Sequence, residues 1–177
     1  MPAHKRNLAA LAAAIAVAFP VGASAAAVDY FLKIDGIAGE STDDKHKGEI
    51  EIASWSWGVS SAAQAGGARS GKPCVSPMSF SKLVDKSSPA LMANAVSGMV
   101  IPNAILIGRK AGDKQQEYLK LELKNVLISS YQTGGSNSSL PADQFSLNFS
   151  TMTVEYKQQN PDGSTGAPVS ASFQGGC

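Results

Sequence analysis

The stretch Phe80-Ser-Lys-Leu-Val-Asp-Lys-Ser-Ser-Pro-Ala-Leu-Met-Ala-Asn-Ala-Val-Ser-Gly98 decides the fold, because it is a single short helix set in a chain otherwise patterned as strands. Ser88 suits the N-cap, Pro89 the first helical position and Gly98 the stop. Leu91, Met92, Ala95 and Val96 recur at spacings that make one apolar stripe. The helix is therefore expected to pack by that stripe, covering or plugging a β-structure.

Outward from it, residues alternate at the period of strands. Tyr30, Leu32 and Ile34 share one face before Gly36 and Gly39 break the run. Ile50 and Ile52 share a face, whereas Trp55 and Trp57 fall on odd positions, so the inward set changes phase near Ala53 and implies a bulge or bend there. Leu119, Leu121 and Leu123 alternate with Lys120, Glu122 and Lys124, and then Val126 and Ile128 take over on even positions. The strand that begins at Phe145 changes phase in the same way between Phe149 and Met152. Two long strands that switch faces midway, joined by a Gly134-Gly135-Ser136 loop, imply a strongly coiled sheet in which each strand serves two walls. Ala111-Gly112-Asp113 reads as a hairpin connection between strands ending near Lys110 and starting near Glu117. The expected class is mainly β: a small two-sheet β-barrel with one flanking α-helix.

Composition limits what such a fold can do. At 177 residues the chain fits one domain with one sizeable core. Charged residues make up 16% and the formal net charge is +1, so no large field recruits nucleic acid or an acidic membrane. Residues 1–25 read as a cleaved secretory signal: His4, Lys5 and Arg6 form a positive start, Leu8 to Val21 is nearly unbroken apolar sequence, and Ala23-Ser24-Ala25 is a small-x-small cleavage pattern. Cleavage between Ala25 and Ala26 leaves residues 26–177 as the domain, in a secreted or periplasmic setting and with no stable membrane span. Fourteen apolar residues, rich in Ala, are short for crossing a hydrocarbon core of roughly 30 Å.

Cysteine usage fits export. Cys74 and Cys177 are the two cysteines of the chain, and an oxidising compartment favours their joining. An internal bond would close a loop of about 100 residues and stabilise by about 4 to 5 kcal/mol on the chain-entropy model. A buried Cys74 with a terminal Cys177 that pairs between subunits is the alternative. Neither has a histidine near it in sequence, which argues against a catalytic thiol.

Catalytic chemistry is not evident. Beyond the signal His46 is the one histidine, so any His-based nucleophile or metal cluster would rest on a single ring. Asp43, Asp44 and His46 lie together, yet their spacing matches no EF-hand or zinc pattern, and with Lys45 and Lys47 they read as a solvated loop. There is no Gly-x-Ser-x-Gly elbow, no phosphate loop and no His-Glu-x-x-His, and Gly66, Gly67 and Gly71 lack the spacing of a dinucleotide site. The expectation is a non-enzyme with no catalytic residues, no cofactor and no metal, whose work is assembly or binding.

Trp55-Ser56-Trp57-Gly58, the Phe80–Gly98 stretch and Glu117-Tyr118-Leu119 together resemble the haemolysin-coregulated protein (Hcp) family, the tube subunits of type VI secretion. The resemblance runs from about Val28 to Gly166. It implies a barrel like that of phage tail tubes, a homohexameric ring, stacking of rings into a tube, and a contractile sheath that drives tube and spike into a target cell. Spike, sheath and effector proteins are the implied partners. If Trp55 and Trp57 point inward, Ser54 and Ser56 face the other way, and the resemblance makes them lumen residues that touch cargo. The polar run at Glu40, Asp43, Asp44, Lys45 and His46 resembles the family's protruding loop, with an implied role in ring-to-ring contact. An exported monomeric barrel that binds another envelope protein is the alternative. Two features depart from the family pattern: its tubes assemble before passing through the secretion machine, whereas this chain opens with a general secretory signal, and Val169 to Cys177 reads as a short Gly-rich tail in place of a longer aromatic-containing strand.

Overall fold

The computed structural model describes residues 28–61, 71–110, 115–160 and 164–176. The expected signal segment with Ala25 and Ala26, the expected connection at Ala111, Gly112 and Asp113, and Cys177 lie outside the described residues. The described elements run β1 (Val28–Ile34), β2 (Ile50–Glu51), β3 (Ser54–Ser56), β4 (Val59–Ser60), β5 (Cys74–Val75), β6 (Met78–Leu83), α1 (Ser87–Ser97), β7 (Ile101–Lys110), β8 (Gln116–Ser136), β9 (Ser139–Asn148), β10 (Thr151–Gln159) and β11 (Thr165–Gln174).

Nine of the described strands form two walls that share β8, and β4 pairs β5 in a separate two-stranded sheet. One wall is ordered β2-β1-β7-β8-β10-β11 and the other β8-β9-β6-β3, with antiparallel pairing in every pair. β8 pairs β7 and β10 through its first half and β9 through its second, and the pivot between them is Asn125, whose φ is +49°. Here the inward set passes from Leu121 and Leu123 to Val126 and Ile128, all four buried, as the sequence period predicts. Asn tolerates this left-handed backbone better than most residues because its short polar side chain can satisfy local backbone groups.

The second change of phase is built differently. Ile50 and Ile52 are buried under β1, Ala53 and Ser54 are both exposed, and Trp55 then turns inward. The chain crosses between walls at this point: Ile52 N–H donates to the Tyr30 carbonyl at 2.9 Å, and Ala53 N–H to the Ser81 carbonyl at 2.8 Å. β2 and β3 end the hydrogen-bonded path at opposite edges and are joined by covalent chain alone, so among the described residues the sheet does not close as the expected barrel would. It is two walls folded face to face around one core that includes Leu32, Phe80, Leu106, Leu121, Phe145 and Met152.

Several expectations need correction. The strand from Phe145 is two strands, broken at Phe149–Ser150. Gly134, Gly135 and Ser136 belong to β8, and the turn lies at Asn137-Ser138, where a two-residue connection pairs Ser136 with Ser139. The C-terminal run is not a short tail: β11 is ten residues long and lays Phe173 against Trp57 with ring centroids 5.4 Å apart.

The helix also differs from its stripe. Leu91 is fully buried and Ala90 and Ala95 pack on the core, whereas Met92 and Val96 are exposed, Val96 to 85%. The helix begins at Ser87, so Ser88 is inside it and not its cap. Asp85 does the capping: its carboxylate accepts the Ser87 N–H at 2.9 Å, while the Ser88 hydroxyl accepts the Asp85 N–H at 3.1 Å. That reciprocal arrangement resembles a capping box with the acidic residue and the serine exchanged, just ahead of Lys86, whose own side chain makes no cap. Gly98 ends the helix as expected, at φ +64°, with its N–H donating to the Asn94 carbonyl.

Candidate assembly and cargo surfaces

The second wall is two-faced because four of its strands carry the same local pattern, a polar residue on each side of an aromatic one: Ser54-Trp55-Ser56, Ser79-Phe80-Ser81, Gln144-Phe145-Ser146 and Ser130-Tyr131-Gln132. Strand geometry sends the aromatic residue to one face and its neighbours to the other. Register then aligns the triplets. Ser54, Ser81, Gln144 and Gln132 form one cross-strand row, and Ser56, Ser79, Ser146 and Ser130 form the next. On the inner face the matching row is Trp55, Phe80, Phe145 and Tyr131, with Phe80 and Phe145 stacked at 5.1 Å.

The outer rows therefore make a continuous patch of hydroxyls and amides with no charged group in either row. Ser79 and Ser146 share a hydrogen bond of 3.0 Å across the strands, and the patch lines a shallow depression of about 470 Å³. Such a surface offers many weak donors and acceptors and no fixed charge. Ser54 and Ser56 lie where the sequence places them, exposed on this face. The other six members escaped sequence reading, although the repeated polar-aromatic-polar triplet was the signal that marks them.

Behind this wall lies a buried ionic latch to the helix. Lys82 Nζ is 3.0 Å from Asp143 Oδ2 and 2.6 Å from Asp85 Oδ1, and it also donates to the Ser88 hydroxyl at 3.0 Å and the Leu83 carbonyl at 2.9 Å. Burial works to raise the Asp143 pKa, but the Ser88 hydroxyl and the Lys82 ammonium outweigh it and hold the carboxyl below the ordinary carboxylate value. Tyr131 beside it is pushed up, by burial and then by the Asp143 charge.

The third feature is the loop at residues 39–49, which is solvated at Glu40, Asp44, Lys45 and Lys47 as expected but turns Asp43 and His46 inward. Gly39 N–H donates to Gly48 and Ser41 N–H to Glu49, at 2.8 and 3.0 Å, closing the base of the loop. His46 is 5% exposed and its ring stacks on Phe31, 4.3 Å between centroids and 9° between planes. Arg109 is 3% exposed, sits 4.8 Å from the Phe31 ring centroid, and pairs with Asp43 at 2.7 Å and Asp29 at 3.1 Å. Phe31 and Ile107 are buried outside the main core, so the loop covers a small second core on the outer face of the first wall. Burial opposes ionisation of Asp43, yet the Arg109 guanidinium and the backbone N–H groups of Lys45 and His46 more than offset it, and its pKa is lowered. Arg109 is raised, its carboxylate partners outweighing burial.

Of the loop residues singled out in the sequence, Glu40, Asp44 and Lys45 are exposed, and the Glu40 carboxylate accepts the Lys86 N–H at 3.0 Å beside the start of α1. Asp43 and His46 are turned in. The structure thus brings Asp43 to Arg109, a residue that nothing in its local sequence separates from an ordinary strand charge. Cys74 lies half-buried on β5, and no free cysteine is found among the described residues. The adjacent Val75 bridges Gly176, with its N–H 3.0 Å from the Gly176 carbonyl, so the last described residue rests against β5.

Among the described residues no group of His, Cys, Asp and Glu side chains is arranged to hold a metal ion, and no helix is long and apolar enough to cross a membrane. Fold and surfaces define a mainly β protein with broad sheet faces and a pinned loop. The family described as "Type VI secretion system effector, Hcp" matches residues 31–156, and the chain belongs to the Hcp family. It is 44% identical over 149 residues to protein hcp1 of Pseudomonas aeruginosa, covering 81% of this chain and 92% of that one. Among solved structures it is similar to Hcp1 from Salmonella typhimurium, with 37% identity, a TM-score of 0.70, and coverage of 84% of this chain and 94% of that chain. A type VI secretion system effector from Yersinia pestis gives 33% identity and a TM-score of 0.69 over 82% of this chain and 99% of that chain.

Proposed function

We propose that the chain is a tube subunit of a type VI secretion system: a homohexameric ring whose Ser and Gln rows face the lumen and touch effector cargo, stacked through the residue 39–49 loop. Spike and sheath proteins are its machine partners. The observation that carries this reading is the pair of uncharged rows, because a channel through which varied proteins pass needs a surface that wets them without binding any one tightly. Secretion by this route accounts for a secreted protein, and no catalytic role is assigned. We further propose an internal Cys74–Cys177 bond, supported by the Val75–Gly176 bridge next to it.

Two surfaces support self-association. Among the described residues β11 pairs with β10 alone and carries no charged residue from Thr165 to Gln174, so its other edge lacks the charges that keep such edges from pairing. The helix flank at Val84, Pro89, Met92 and Val96 borders an apolar groove of about 660 Å³. A second copy is the occupant proposed for both, in the heterologous contact that a closed ring requires.

The deciding experiment is light scattering with negative-stain imaging of the purified chain, under oxidising and reducing conditions. A hexameric ring supports the tube reading. A stable monomer overturns it in favour of an exported binding module of the cell envelope.

A further inference from the structure

Four carboxylates meet at the underside of the residue 39–49 loop, and one guanidinium answers them. Asp43 and Glu49 come from the loop, Asp29 from β1 and Glu117 from β8, while Arg109 of β7 pairs with Asp43 and Asp29. Glu49 and Glu117 are left to His46. Nδ1 of the ring lies 2.9 Å from Glu49 Oε2, and Nε2 lies 3.6 Å from Glu117 Oε1. With the ring neutral and Nδ1–H donating to Glu49, Nε2 carries a lone pair, buried and without a hydrogen-bond partner among the described residues, facing a carboxylate. A second ring proton converts that lone pair into a donor and adds the missing positive charge. Lys45 and Lys47, the loop's own ammonium groups, form no ion pair with these carboxylates among the described residues.

We propose that His46 is a proton-operated clamp on the residue 39–49 loop, tying it to β8 through Glu117 when both ring nitrogens carry a proton and releasing that tie when one proton leaves. The geometry favours this over a purely structural stack. Phe31 alone would hold the ring in either state, but only the doubly protonated ring satisfies carboxylates on both sides at once. Because Glu117 is on β8 and Glu49 is in the loop, the proton decides whether loop and wall are joined. The consequence for assembly rests on the tube reading: acid would stiffen the loop that contacts the next ring.

The test is amide hydrogen exchange of the purified chain at pH 5.5 and pH 8.0, each corrected for intrinsic exchange, read at Ser41, Gly48 and Glu49. In the wild type, protection is expected to be severalfold higher at the acid pH. The difference should vanish in His46→Gln and shrink in Glu117→Gln, which keeps an acceptor and removes the charge. Equal protection at the two pH values in the wild type overturns the proposal, as does an undiminished difference in Glu117→Gln. If His46→Gln does not fold, Glu117→Gln still decides, since the Glu117 side chain is 45% exposed and its loss leaves the core intact. Exchange reads the clamp whether or not rings stack, so failure of the clamp and failure of the tube reading are told apart.

Discussion

Lys82 and Asp143 face each other across two strands at 3.0 Å with neither side chain exposed to solvent. Removing one partner leaves the other charged and buried, which is far costlier than replacing both by apolar groups. Lys82→Met should therefore destabilise by about 3 to 5 kcal/mol in chemical denaturation. The double variant Lys82→Met with Asp143→Leu should recover part of that loss, and no recovery would mean that the latch does not act as a pair. The pH dependence follows from the Asp143 carboxyl, whose pKa is lowered in the fold. Its contribution is present above the ordinary carboxylate value near 4 and is lost as pH falls through the lower folded value. Thermal melts should show an acid-labile fold whose loss below about pH 4 is blunted in Asp143→Asn.

Gly39 and Gly175 should be irreplaceable for steric reasons alone. A β-carbon at 39 would run into the Glu49 carbonyl, and one at 175 into the Phe149 carbonyl and ring. Gly134 has open space where its β-carbon would go. Gly39→Ala and Gly175→Ala should each cost about 1 to 3 kcal/mol as backbone is forced apart, while Gly134→Ala stays within about 0.5 kcal/mol. Equal melting temperatures for all three variants would contradict the close approach.

Fold and site were not equally legible in the sequence. Period-2 runs made the strands readable, and with them the changes of wall at Ala53, after Leu123 and between Phe149 and Met152, since burial on one face leaves a mark in every second residue. That the expected barrel does not close was not readable, because closure depends on hydrogen bonds between β2 and β3 that local pattern does not encode. Helix spacing admitted Met92 and Val96 to the buried stripe, since a stripe fixes which residues share a face but not how much of that face is covered. His46 and Arg109 were missed for a related reason. A polar ring in a loop, or a charge on a strand, reads as solvated until the tertiary fold sets Phe31 beneath it.

The helix stripe can be tested by paired substitution. Leu91 is fully buried, so Leu91→Ala should lose about 2 to 5 kcal/mol. Val96 is 85% exposed, so Val96→Lys should change single-chain stability by less than about 0.5 kcal/mol. If the flank is the ring contact, Val96→Lys lowers particle mass in light scattering while leaving the melting temperature of the dissociated chain unchanged. A variant that keeps both mass and melting temperature removes the flank from the interface.

The uncharged wall should tolerate change in stability but not in function. Ser54 and Ser56 are exposed, and their substitution by Arg disturbs no buried packing, so the fold should hold within about 0.5 kcal/mol. Placed in a ring, the two arginines would line the lumen with fixed positive charge in every subunit. Intact rings with reduced effector export would support the cargo role, whereas unchanged export in intact rings would argue that the rows face elsewhere.

Asn125 makes the sharpest test of how one strand serves two walls. Its φ of +49° is the single positive value at a non-glycine position among the described residues, and it lies where β8 leaves β7 and β10 for β9. Its side chain is exposed, so substitution disturbs little packing and the backbone decides the outcome. A β-branched residue is penalised in this region by about 1 to 2 kcal/mol, whereas glycine reaches it without strain. Asn125→Val should therefore destabilise by that amount and Asn125→Gly by a few tenths at most, the reverse of the order expected for an ordinary exposed strand position, where Val is favoured over Gly. If Val proves the more stable of the two, the kink at Asn125 does not set the switch, and the change of wall must come from the pairing with β9 instead.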